Sequence, residues 1–206
     1  MTIRTIQQII PAIDTSDGAG VQLKRSVGQR QSVRVDPFLM LDAFNSDNAD
    51  DYIAGFPAHP HRGFETVTYM LNGSMIHRDH MGNEGELNPG GVQWMTAGRG
   101  VIHEERPQRS EGLMRGFQLW VNLPASEKMK PAHYQNIEPE QVPDVALSSG
   151  GRVRVIAGQL ALEDQTVTGP VTGVVAEPVY LDVRLQPGEV FSYPVAESHN
   201  LFLYPY

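Results

Sequence analysis

The chain has 206 residues, a net charge of −8 with His neutral, and no cysteine. That length can bury a sizeable core without staples, and the missing thiols exclude disulfides, thiolate metal sites and a cysteine nucleophile. The acidic balance argues against broad electrostatic binding to nucleic acid or to an anionic membrane, and 20 Gly with 15 Pro favour short strands and many turns over long helices.

In chain order, the N-terminal stretch of residues 1–14 alternates until Pro11. It lacks the basic start and unbroken apolar run of a signal peptide. No stretch approaches the roughly 18 apolar residues of a membrane helix, so a cytoplasmic location is expected. Val67–Leu71 alternates and runs into Asn72-Gly73, which reads as a hairpin turn. Phe117–Leu123, Val153–Ala157, Val179–Leu185 and Leu201–Tyr204 repeat the period-2 pattern, each bounded by Gly, Pro, Asn or Asp or by the end of the sequence. Strands at such intervals predict an all-β sandwich or barrel. Ser126–Lys130 and Glu138–Val142 are at most single helical turns. The Pro-, Ser- and Gly-rich stretch from Pro124 to Gly151 is poor in strand pattern and reads as a linker. The resulting division is 1–130, a linker at 131–150, and 151–206.

Among seven histidines, the informative ones are His59-Pro60-His61 and His103-Glu104-Glu105. Residues two apart on a strand point the same way. His59 and His61 therefore project together, as do His103 and Glu105, while Glu104 points away. Two such pairs on facing strands bring three imidazoles and one carboxylate to one point. That donor set suits a borderline divalent metal such as Fe, Cu, Ni, Mn or Zn. Phe56, Phe64 and Trp94 could wall an apolar pocket or serve as plain core. His77 and His80, spaced by three around Arg78-Asp79, are read as surface residues. His133 and His199 are read as structural or solvent-exposed.

The runs His59-Pro-His-Arg-Gly-Phe-Glu-Thr-Val-Thr-Tyr, Gln93-Trp-Met-Thr-Ala-Gly-Arg-Gly-Val-Ile-His and Phe117-Gln-Leu-Trp-Val-Asn-Leu-Pro closely resemble the pirin family of the cupin superfamily. So do Arg25-Ser-Val-Gly-Gln-Arg, Asp36-Pro-Phe-Leu-Met-Leu-Asp-Ala-Phe and Ser126-Glu-Lys-Met. The resemblance covers most of the chain and is strongest from Arg25 to Met129.

The resemblance implies a bicupin, two β-barrels face to face, with one metal in the N-terminal barrel on His59, His61, His103 and Glu105. The metal is usually iron, here Fe(II), with Cu, Ni, Mn, Co or Zn as alternatives. Glu65, at an acid position other cupins use as a ligand, is assigned a structural or imidazole-orienting role. Arg62 is the natural cation near the pocket mouth. Relative to longer pirins the second barrel, 151–206, is expected to be shortened, whether in a short natural protein, in a truncated chain or in one completed by a partner. The resemblance further implies a quercetin 2,3-dioxygenase, which cleaves a flavonol with O₂ and releases CO, with Glu105 taking the 3-hydroxyl proton. The alternative is an iron-dependent regulatory pirin that binds a protein partner, without direct nucleic-acid or membrane binding. A metal that only stabilises the barrel is the third reading.

Overall fold

The computed structural model describes residues 3–30, 34–108 and 112–206. Among the described residues there is no α-helix, and no helix is long and apolar enough to cross a membrane. The first eleven strands are β1 (Ile13–Asp17), β2 (Val21–Arg25), β3 (Phe38–Ser46), β4 (Phe56–His61), β5 (Phe64–Asn72), β6 (Met75–Asp79), β7 (Glu84–Leu87), β8 (Val92–Thr96), β9 (Val101–Pro107), β10 (Met114–Asn122) and β11 (His133–Ile137). They build two antiparallel sheets. One has the order β1-β2-β3-β10-β5-β8-β11 and the other β4-β9-β6-β7. The later strands β12 (Asp144–Ala146), β13 (Arg152–Ala157), β14 (Gln159–Ala161), β15 (Thr166–Thr168) and β16 (Tyr180–Arg184) form a three-stranded sheet, β12-β13-β16, and the pair β14-β15. The all-β class expected from alternation is what the chain adopts.

The long strands have two differently used faces. On β5, β8 and β10 the set Val67, Tyr69, Val92, Trp94, Phe117, Leu119 and Val121 packs with Ile156 and Ala157 of β13 and with Val171 beyond β15. The alternate set, Thr68, Gln93, Gln118 and Trp120, falls on the opposite face, because successive side chains on a strand point to opposite sides. Apolar residues thus bury against the second unit, while the polar and ring-bearing face is left for the interior of the first. The two units are also joined by a buried polar contact. The Tyr69 hydroxyl donates to Asp182 Oδ2 at 2.7 Å, and both side chains are buried. Tyr206 and Arg184 donate to the same carboxylate. Losing the Tyr69 donor leaves a buried charge with one partner fewer. Tyr69→Phe is therefore expected to destabilise by roughly 1–3 kcal/mol, read as a lower urea midpoint at unchanged slope.

Three local expectations change. Asn72-Gly73 is not a hairpin, because β5 and β6 lie in different sheets; the turn is the corner by which the chain crosses between them. Leu201–Tyr204 is not a strand. Its alternate aromatics pack on side chains instead of entering a ladder: Phe202 sits edge-on to Phe38 at 4.8 Å and Tyr204 on Phe117 at 5.4 Å. The stretch read as a linker supplies β11, which pairs with β8 from His133↔Thr96 to Ile137↔Val92. Only Ile137 of that strand is buried, so no apolar alternation marks it. The N-terminal stretch, described from Ile3, forms no strand before Ile13.

Candidate metal centre

The histidines are assembled by β4 and β9. These strands are neighbours in one antiparallel sheet rather than strands facing each other across the interior, with His59 directly opposite His103. Along β9 the burial alternates. Val101, His103, Glu105 and Pro107 are buried while Ile102, Glu104 and Arg106 are not. The turn that leaves β4 and the turn that enters β9 are tied together, since the Gly63 amide donates to the Gly98 carbonyl at 2.8 Å. Gly98 has φ +52°, and a Cβ there would lie 2.1 Å from the Lys130 carbonyl oxygen, so only glycine fits this approach.

Donor atoms of His59, His61 and His103 all lie within 4.8 Å of one another. The rings meet closely, with centroids 4.6 Å apart for His59 and His61, 4.4 Å for His59 and His103, and 4.7 Å for His61 and His103. His59 Nδ1 is 2.8 Å from the Pro57 carbonyl, which can only accept. His59 Nδ1 therefore carries the proton, and its Nε2 presents a lone pair. That Nε2 is 2.9 Å from His61 Nε2. The Nε2 of His103 is buried without a partner. Burial pushes His61 down to about 4 and His103 down to about 2, with the neighbouring imidazoles adding to the effect. Converging imidazoles, two of them held neutral by burial and one with an unpartnered nitrogen, fit a bound cation of the borderline class.

Glu105 does not belong to the close group of three. It lies one alternation further along the same face of β9, fully buried. Gln118 Nε2 contacts both of its oxygens at 3.2 Å, and Thr68 Oγ1 lies 3.2 Å from Oε1. Thr68 Oγ1 is closer, 2.6 Å, to Gln118 Oε1, which turns the amide hydrogens toward the carboxylate. Burial pushes the Glu105 carboxyl up, against the pull of His59 and these hydrogen bonds.

The remaining predicted site residues divide. Phe56 is opposite Glu105 in the ladder and lines a groove with Ile53, Pro57 and residues 104–108. Phe64 meets the His61 ring edge-on at 5.0 Å. Arg62 is exposed, with Nη2 3.3 Å from the Met129 sulfur. Glu65 and Trp94 lie on the other face of their sheet. Glu65 accepts from Trp94 Nε1 at 3.1 Å and from Thr96 Oγ1 at 2.7 Å. It therefore pins two strands together instead of orienting an imidazole, and Trp94 belongs to the core between the units.

Two residues enter that spacing did not single out. Trp120 packs on Phe64 at 4.7 Å with the rings tilted by 39°, and edge-on to His61 at 5.1 Å. Alternation carries the signal, because Phe117, Leu119 and Val121 claim the core face and leave Trp120 to the other. His77, read as a surface residue, is buried, with Nδ1 3.1 Å from His103 Nδ1. His80 is exposed as expected. The missed signal is the inward step Met75-x-His77, with charged Arg78 outside.

The pirin family profile matches residues 20–121. A Pseudomonas aeruginosa protein provisionally named a quercetin 2,3-dioxygenase is 52% identical over 203 residues, covering 98% of this chain and 71% of that protein. Human pirin is 42% identical over 193 residues, 93% of this chain and 62% of its own. The 1.88 Å crystal structure of quercetin 2,3-dioxygenase from Acinetobacter baumannii superposes with a TM-score of 0.67 at 40% identity, over 78% of this chain. The chain spans 57% of that structure's length, less than two thirds.

Proposed function

Because the chain belongs to the pirin family, we propose that it is a metal-dependent dioxygenase of the quercetin 2,3-dioxygenase type, with His59, His61 and His103 as metal ligands and Glu105, on the same face of β9 as His103, as the fourth. The observation that carries this reading is the buried imidazole cluster, with two Nε2 atoms 2.9 Å apart and a third unpartnered. A divalent metal held there, Fe(II) first and Cu, Ni, Mn, Co or Zn as alternatives, supplies a Lewis acid for the flavonol 3-oxygen and a position for O₂.

The chain's own groups do the rest. His59 is fixed in its ligating tautomer by the Pro57 carbonyl. Glu105 accepts the 3-hydroxyl proton as the flavonol binds, and Gln118 and Thr68 hold its carboxylate in place. Phe64 and Trp120 wall one side of His61 with apolar ring surface. Ring opening consumes O₂, releases CO and leaves a depside.

The test is aerobic incubation of the metal-loaded protein with quercetin, following flavonol absorbance and CO. Glu105→Gln is expected to lower turnover about 100-fold or more. Absence of turnover by the unmodified chain with every one of these metals would overturn the reading and leave the centre to a regulatory or structural role.

A further inference from the structure

A ligating imidazole needs its second nitrogen held, and for His59 the Pro57 carbonyl does this. His103 has no carbonyl or carboxylate at its Nδ1. The group there is His77 Nδ1, at 3.1 Å, on the neighbouring strand β6. Two nitrogens at that distance share one proton. If His103 is to offer Nε2 as a lone pair, its own proton sits on Nδ1 and is donated to His77. His77 must then accept at Nδ1 and carry its proton on Nε2. That Nε2 is buried with no hydrogen-bond partner, an arrangement that costs stability.

The His77 ring is itself held. It faces Glu105 across the ladder, and Tyr134 meets it edge-on at 5.2 Å. The Tyr134 hydroxyl is in turn pinned to Asp79 Oδ2 at 2.7 Å.

We propose that His77 is the positioning residue of the metal centre: by accepting from His103 Nδ1 it fixes the His103 tautomer that ligates, and it accepts an unsatisfied Nε2–H to do so. The inference rests on the metal-centre reading given above. Partners of this kind typically set metal affinity by 10- to 100-fold.

The experiment compares Zn(II) affinity, by competition with a chromogenic chelator, for the unmodified chain, His77→Leu and His77→Asn, alongside their metal-free melting temperatures. His77→Leu is expected to bind about 10- to 100-fold more weakly while melting about the same, because it removes the unpaired His77 Nε2–H but leaves the His103 Nδ1–H without its acceptor. His77→Asn restores an acceptor near the Nδ1 position and is expected to recover most of the lost affinity. In ¹⁵N NMR of the Zn(II)-loaded unmodified chain, His77 is expected as the Nε2–H tautomer and His103 as Nδ1–H. Equal affinity in His77→Leu, no recovery in His77→Asn, or an Nδ1–H tautomer at His77 would each overturn the inference. An unmodified chain that takes up neither Zn(II) nor any of Fe(II), Cu(II), Ni(II), Mn(II) and Co(II) would instead overturn the metal-centre reading, and the inference with it.

Discussion

Replacing His103 with alanine is expected to empty the site. Metal falls from about one per chain to less than about a tenth, turnover drops to background, and the chain stays folded. His103 is the central ring of the cluster, in contact with His59, His61 and His77 at centroid distances of 4.4, 4.7 and 4.7 Å. Its loss removes one of the three converging imidazoles, and leaves His59 and His61 on one strand with Glu105, which lies outside their close group. The fold does not depend on the ring. The packed face of the large sheet, with Trp94, Tyr69 and Leu119, lies on the other side, and the ladder β4–β9 is made by backbone. Elemental analysis and circular dichroism on the same sample check both halves. Full metal content in a folded His103→Ala chain would contradict the assignment.

Acid should unfold the metal-free protein well before it unfolds an ordinary β-domain. Burial holds His61 and His77 down to about 4, from an ordinary value of 6.5. Above pH 6.5 both states are neutral at these residues and nothing is lost. As pH falls through 6.5 the unfolded chain takes up protons that the folded chain refuses. Stability therefore declines until the folded-state values near 4 are reached. At 1.36 kcal/mol per unit this is roughly 3 kcal/mol for each of the two residues, a large part of a typical total of about 5–15 kcal/mol. Urea unfolding of chelator-treated protein at pH 7.5 and 4.5 measures it. A midpoint unchanged across that window would show that the cluster is not buried and neutral. His103, held lower still, adds a comparable loss over the same window, so His77→Leu should remove roughly a third of the total.

How much of this was legible in the sequence depends on range. Val67–Leu71, Phe117–Leu123, Val153–Ala157 and Val179–Leu185 fall within or nearly coincide with β5, β10, β13 and β16, because alternation is a local consequence of having one packed face. Pairing His59 with His61 and His103 with Glu105 on common faces follows from the same local rule, and the three imidazoles do converge. What failed was non-local. Asn72-Gly73 carries a turn signal, but no local feature says whether the next strand joins the same sheet. Of the two roles open to Glu65, structural or imidazole-orienting, the structural one is what the fold gives it, on the far face of its sheet where Trp94 and Thr96 hold it. His77 looked solvated beside Arg78 and Asp79, yet those two neighbours occupy the outward and edge positions of a strand whose inward positions are Met75 and His77. β11 was hidden because a strand with one buried residue has no pattern to show.

The most direct test is an anomalous-scattering map from crystals of the metal-loaded protein, collected at the absorption edge of the bound metal. One peak per chain is expected, about 2.0–2.2 Å from one nitrogen each of His59, His61 and His103 and from a Glu105 oxygen. No peak among these four side chains, or a peak ligated elsewhere, would contradict it.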